Sequence, residues 1–254
     1  MILRNATLPD GTRHDIEVED GRIAAFLPPT DTEPGIVVLP ALVDGHIHLD
    51  KTLLGLPWVP IEAERRVRAA RTVPEQQTGA NLVRQIVASG TLHMRSHVDI
   101  DNQLGLRNLH EILAVREQFR DLVTIQIVAF PQSGILRSPG TAELLDAAIE
   151  EGADLVGGLD PVGIDGDLDG HLDPIFAIAE RRGVGIDIHL HDGGEAGIAQ
   201  LAAIAERAVA AGLQGKVAVS HAFALGSVPT DMAARTADLL AAAGVAIMSH
   251  GPGG

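Results

Sequence analysis

The 254-residue chain contains no cysteine and no tyrosine, and aromatic residues make up only 2% of it. Without thiols, disulfide frameworks, thiolate nucleophiles, zinc knuckles and iron–sulfur clusters are all excluded. With so few rings, an aromatic cage or stacking platform has little to be built from. Positive charge is also scarce, with 19 Lys and Arg against 34 Asp and Glu and a formal net charge of −15. Such a chain repels phosphate backbones, so nucleic acid and anionic membrane surfaces are not expected as partners. No apolar run approaches the ~18 residues of a membrane span. The start, Met1-Ile2-Leu3-Arg4-Asn5, lacks the layout of a signal peptide. The expectation is a cytoplasmic protein. What remains, 46% apolar and 21% charged residues, is ordinary globular composition on a chain long enough to enclose a real core.

Residues 1–36 read as a small β module. Ile16-Glu17-Val18-Glu19 alternates, Asp20-Gly21 is a two-residue hairpin signal, and Arg22–Phe26 returns before Pro28, Pro29 and Pro34 break the chain. From residue 37 to 254 the pattern becomes apolar strand, loop, helix, repeated. Strands are expected at Val37–His48, Thr91–Asp99, Val123–Phe130, Asp154–Gly158, Val184–His189, Val217–His221 and Val245–His250. Helical spacing lies between them at Glu75–Ala88, Leu106–Phe119, Thr141–Glu151, Pro174–Arg182, Ile198–Ala211 and Asp231–Ala243. Gly90, Gly152, Gly183, Gly212 and Gly244 follow helices, where a left-handed cap favours glycine. Alternation of this kind means an α/β fold with a parallel sheet covered by helices. Nearly every strand ends in a histidine or carboxylate, and reactive side chains converging from many strand ends argue for a TIM-type (β/α)8 barrel. Only seven strands are legible, and Ser249–Gly254 read as the loop leaving the seventh. The expectation is a barrel truncated before its eighth strand, residues 37–254, behind the β module of residues 1–36.

Three strand ends carry the chemistry. His46-Ile47-His48 places two imidazoles on one side of a strand, suited to two ligands on a divalent metal at about 2.1 Å each. With 11 histidines in the chain the bare pattern arises easily by chance. It gains weight because a second pair, His189 and His191, also closes a buried apolar strand, where unpaired imidazoles are costly. In Ile186–Asp192, Ile186, Ile188 and Leu190 share one face while Asp187, His189 and His191 share the other, which makes His189 a natural third ligand. Asp192, just beyond, is placed to handle protons beside the metal or, alternatively, to cap the following helix. His221 ends another strand near the same point. Arg95, His97 and Asp99 alternate on one face of their strand, and His97 is taken as a pocket residue. His250 is a candidate substrate contact. His14, His110 and His171 are read as solvated, and the Glu62–Arg71 charges as a helix face.

Asp44-Gly45-His46-Ile47-His48-Leu49-Asp50-Lys51, Arg95-Ser96-His97-Val98-Asp99, Gln126–Gln132, Ile186-Asp187-Ile188-His189 and Ser220-His221-Ala222 together resemble the amidohydrolase superfamily, most closely its cytosine-deaminase-like branch. The resemblance runs in order over residues 37–254. It implies a (β/α)8 barrel holding one Zn or Fe ion, with a flanking β-sandwich built from both chain ends. By position, His46, His48 and His189 match metal ligands. His221 matches the histidine that contacts the metal-bound water, and Gln132 the glutamine that hydrogen-bonds the substrate ring. Asp192 stands where the deaminases carry a proton-shuttling glutamate, one methylene longer. The fourth protein ligand of the family is an aspartate ending strand eight, beyond the seven strands read here. Two-metal members use a carbamylated lysine on strand four; this chain has only Lys51 and Lys216, so a single ion is expected.

These readings point to metal-dependent hydrolysis of a C–N bond in a small heterocycle, with Asp192 and His221 catalytic and Gln132, His97 and His250 binding substrate. Deamination of a cytosine-like or related aminated ring stands first. Opening a cyclic amide, or removing an alkylamine from a triazine-like ring, stands second because Asp192 replaces the glutamate. The third reading is an inactive fragment of such an enzyme. Beyond a small-molecule substrate, association with further copies of the chain is the only partner considered.

Overall fold

The computed structural model describes residues 1–30, 35–52 and 75–249. The expected charged helix face at 62–71 and His250 lie outside the described residues. The chain divides into two compact units, Met1–Leu42 and Val43–Gly254.

In the first unit, β1 (Ile2–Thr7), β2 (Arg13–Glu19) and β3 (Arg22–Leu27) form an antiparallel sheet in chain order. The β2–β3 connection is the expected Asp20-Gly21 turn. Both residues have positive φ, 48° and 73°, which the mirror-image hairpin turn requires and which Asp and Gly tolerate. Val37 makes a parallel bridge to Thr7 instead of opening the first strand of the larger sheet. That strand starts at Leu42, after Pro40, whose missing N–H cannot join a ladder.

The second sheet contains β4 (Leu42–Ile47), β5 (Thr91–Asp99), β6 (Thr124–Phe130), β7 (Leu155–Leu159), β8 (Gly185–Leu190), β9 (Val217–His221) and β10 (Val245–Met248). Neighbours follow strict chain order, and the pairs from β5 to β10 are parallel. Between them run α1 (Glu75–Ala88), α2 (Arg107–Gln118), α3 (Thr141–Glu150), the five-residue α4 (Pro161–Asp165), α5 (Leu168–Arg182), α6 (Gly194–Ala210), a 3-10 turn at Phe223–Gly226 and α7 (Thr230–Ala242). This is the (β/α)8-type barrel architecture, represented by seven strands among the described residues. The five helix-ending glycines all have positive φ. Helix α5 starts six residues before the expected Pro174. Asp167 caps its N-terminus by accepting from Gly170 N–H at 3.0 Å, so the proline sits inside the helix.

Alternation along each strand sorts the side chains. Ile186, Ile188, Leu190, Val217 and Val219 join Leu172, Ile175, Leu201 and Ile204 of the helices in one buried core. The opposite faces carry His97, Asp187, His189 and Ser220, all buried as well. The sheet curls far enough that Met248 on β10 lies against Gly45 on β4. A Cβ at residue 45 would meet the tip of the Met248 side chain, which would have to shift to admit it. Polar residues that would be costly in an apolar core are thereby gathered inside one cup.

Candidate metal centre

His46 and His48 reach the cup from the end of β4, His97 from β5, His189 from β8 and His221 from β9. Ring centroids lie 4.4 Å apart for His46–His97, 4.5 Å for His46–His189 and His97–His189, and 5.4 Å for His48–His189. His46, His48, His97 and His189 each offer a ligand atom within 4.8 Å of the others. The three expected ligands are thus brought together, and His97, expected only as a pocket residue, joins them. His221 stands at their edge, 4.7 Å from His46 and 5.0 Å from His189.

The donor set fits a divalent ion. His48 Nε2 and His189 Nε2 face each other at 3.5 Å. Two nitrogens each about 2.1 Å from one tetrahedral ion would stand about 3.4 Å apart. The Nδ1 atoms of His48 and His189 and both ring nitrogens of His97 are buried with no hydrogen-bond partner among the described residues. Burial, followed by the nearby Lys51 and the other histidines, holds His48 far below the ordinary imidazole pKa. Burial and the four neighbouring histidines do the same to His189. Both rings are therefore neutral lone-pair donors, the form a metal binds.

A wall of charged and polar groups surrounds the histidines. Asp187, fully buried, accepts from Arg95 Nη1 at 2.6 Å and from Ser220 Oγ at 2.9 Å. His97 Nε2 lies 3.3 Å from Asp187 Oδ1 without the alignment of a hydrogen bond. Lys51 Nζ donates to Asp99 Oδ1 at 2.7 Å and to Gln132 Oε1 at 2.5 Å, and lies 5.1 Å from the centre of the Phe130 ring. Since an ammonium only donates, the Gln132 amide is turned with its oxygen towards Lys51 and its NH2 presented elsewhere.

Asp192 is not among the possible ligand atoms. Its Oδ2 accepts from Gly163 N–H and from Gln200 Nε2, both at 2.9 Å. The neighbouring His191 is held by Asp160, whose Oδ2 lies 2.8 Å from His191 Nδ1, and it stacks on His221 at 4.3 Å. Asp160, His221 and Ala222 have positive φ of 37°, 73° and 49°, the kind of backbone strain that clusters at functional sites. Asp165 at the other end of α4 accepts from His171 Nδ1 at 2.7 Å and from the N–H groups of Ile135, Leu136 and Arg137. The expected solvated His171 is thus buried: α5 begins early enough to carry it inside, where its Nε2 accepts from Leu159 N–H at 3.1 Å. Short α4 therefore ties the segment after Gln132 to the segment holding His191 and Asp192. Sequence reading missed Lys51, Asp160 and Asp165 as site-building groups; only the position of Lys51, directly after the His46–Asp50 motif, hinted at its place.

A parallel barrel that gathers four histidines from three strand ends, close enough together to share one metal ion, defines the class of fold and site. The chain belongs to the amidohydrolase family, whose sequence model matches residues 34–252. The solved structure of N-isopropylammelide isopropylaminohydrolase from Burkholderia multivorans ATCC 17616 is 43% identical with a TM-score of 0.90, covering 99% of this chain and 68% of that one. The 5-methylcytosine deaminase from Klebsiella pneumoniae, liganded with phosphonocytosine, is 29% identical with a TM-score of 0.83, covering 97% of this chain and 65% of that one. N-isopropylammelide isopropyl amidohydrolase of Pseudomonas sp. (strain ADP) is 30% identical over 253 residues, 91% of this chain and 63% of that protein. The chain spans less than two thirds of the length of the curated relatives it matches. The cytosine-deaminase-like resemblance read from the motifs is thereby shown. No helix among the described residues is long and apolar enough to cross a membrane.

Proposed function

We propose that this protein hydrolyses an exocyclic C–N bond of a small nitrogen heterocycle with one divalent metal, Zn or Fe, held by His46, His48 and His189. The observation that carries this reading is the 3.5 Å approach of two neutral Nε2 atoms within a cluster of buried and half-buried imidazoles. The 43% identity to an isopropylaminohydrolase moves removal of an alkylamine from an oxo-triazine-like ring ahead of deamination. Deamination of a cytosine-like ring is the second reading, favoured by the likeness to 5-methylcytosine deaminase. Residues 37–254 would form the hydrolase barrel and residues 1–36 part of a β-sandwich. The compartment would be the cytosol.

When bound, the metal would lower the pKa of a water towards neutrality and polarise the ring carbon under attack. Gln132, its oxygen fixed by Lys51, would present its NH2 to a carbonyl oxygen or ring nitrogen and so orient the heterocycle. Asp192 Oδ2 is engaged by Gly163 and Gln200, so Oδ1 would take the water proton and return it to the leaving amine. His221, on its strained turn, would donate to the oxygen that becomes negative in the tetrahedral species. His97 would close the floor of the pocket against water. Incubating the zinc-loaded protein separately with N-isopropylammelide and 5-methylcytosine tests the reading. Isopropylamine release supports the first reading and ammonia release the second. Neither product, from protein holding one zinc per chain, would refute both.

A further inference from the structure

A line of hydrogen bonds, buried at its centre and half-buried at its ends, runs beneath the histidines: Arg95, Asp187, Ser220, His46. Arg95 Nη1 donates to Asp187 Oδ2 at 2.6 Å, Ser220 Oγ lies 2.9 Å from Asp187 Oδ1, and His46 Nδ1 lies 3.0 Å from Ser220 Oγ. Strand register creates the line. His189 is paired with Ser220 across β8 and β9, and Asp187 sits two residues below His189 on the same inward face. Arg95 approaches from β5, where its Nε also donates to Gln126 Oε1 at 2.8 Å on β6.

The direction of each hydrogen bond follows from proton counting. Asp187 is held as a carboxylate by the Arg95 guanidinium, whose Nη1 lies 2.6 Å from its Oδ2. An ionised carboxylate has no proton to give, so Ser220 must donate its hydroxyl proton to Asp187. A hydroxyl has only that one proton. Its contact with His46 Nδ1 is then a hydrogen bond only if the ring carries the proton on Nδ1. On a neutral imidazole this leaves the lone pair on Nε2.

We infer that Arg95, Asp187 and Ser220 form a positioning relay that fixes His46 in its Nδ1–H tautomer, making Nε2 the metal-binding atom. The relay rests on the proposed metal centre for its purpose, but its first consequence exists without metal. Asp187 also places a negative charge directly behind neutral imidazoles that are to hold a dication. Groups of this kind, touching a ligand rather than the ion, both orient the ring and raise its basicity. An alanine at 220 would remove the hydroxyl that faces Nδ1 and weaken the hold on the ring's tautomer. Threonine at 220 keeps the hydroxyl.

The test uses protein labelled with ¹⁵N-histidine, stripped of metal, with His46→Ala to assign the ring. Long-range ¹H–¹⁵N correlation should show His46 protonated at Nδ1 in the parent and in Ser220→Thr. In Ser220→Ala it should move towards the Nε2–H form. Zinc affinity, read by competition with a chromophoric chelator, should fall 10–100-fold in Ser220→Ala and return to within about threefold in Ser220→Thr. A parent His46 protonated at Nε2, or a Ser220→Ala affinity within twofold of the parent, would overturn the relay. Should His46 behave as stated while the parent binds no zinc, the relay stands as a tautomer lock and the metal centre reading falls.

Discussion

Asp165 offers the sharpest test of how the strand-end segments are held. Its carboxylate is fully buried and accepts four hydrogen bonds, from His171 Nδ1 at 2.7 Å, Ile135 N–H at 2.8 Å, and Leu136 and Arg137 N–H at 3.1 Å each. Asp165→Ala removes all four acceptors. Leu136 and Arg137 are exposed, so their amides can turn to water at little cost. His171 and Ile135 are buried at 0% and 5% exposure, and each stranded donor costs about 1–3 kcal/mol. The expected loss is about 3–4 kcal/mol, or roughly a 10 °C fall in Tm for a chain of this size. Asp165→Asn should cost only about 1–2 kcal/mol. Its single oxygen can occupy the Oδ2 position, which serves three of the four donors, while the NH2 faces the exposed Arg137 amide. Urea unfolding reads both variants, as a midpoint shift at unchanged m. A loss below about 1 kcal/mol for Asp165→Ala, or equal losses for the two variants, would refute the reasoning that buried donors drive the effect.

Three further outcomes follow from the site. His48→Ala or His189→Ala should abolish stoichiometric zinc in metal analysis of purified protein; full retention in either would show that the ligand assignment is wrong. Asp192→Asn should keep metal near the parent level and lower turnover by about 10²–10⁴, while Asp192→Glu retains appreciable product release; loss of metal with an unchanged rate per bound ion would overturn the proton-transfer role. His171 is held neutral, its pKa lowered first by burial and raised only in part by Asp165 and Asp160. Below about pH 6.5 the unfolded chain takes up this proton more readily than the folded chain, so stability falls as pH falls, at no more than about 1.4 kcal/mol per unit for this group. Replacing it in His171→Gln should flatten the slope of unfolding free energy below pH 6.5, by at most one proton, and an unchanged slope would exclude His171 as the source.

Much of this protein was legible before any coordinates. Apolar runs broken by capping glycines, and strand ends carrying His46, His48, His97, His189 and His221, announced a parallel barrel with its chemistry on one face. The reason is local. A period of two fixes which side of a strand a residue faces, and a helix cap shows in one residue. The motifs also carried the family, because ligands on one strand must keep the i, i+2 spacing wherever the fold occurs. Other features depended on register and packing between distant segments. His97 entered the histidine cluster because β5 lies beside β4, whose end carries His46 and His48, a neighbourhood its own strand could not reveal. His171 was read as solvated, yet the start of α5 at Leu168 and the Asp165 carboxylate bring it inside. Lys51 found Asp99 and Gln132 across 48 and 81 residues of sequence. The order Arg95, Asp187, Ser220, His46 joins four strands, and no spacing in one dimension encodes it. Alternation decided which face each side chain took; only the curled sheet decided which of those side chains would meet.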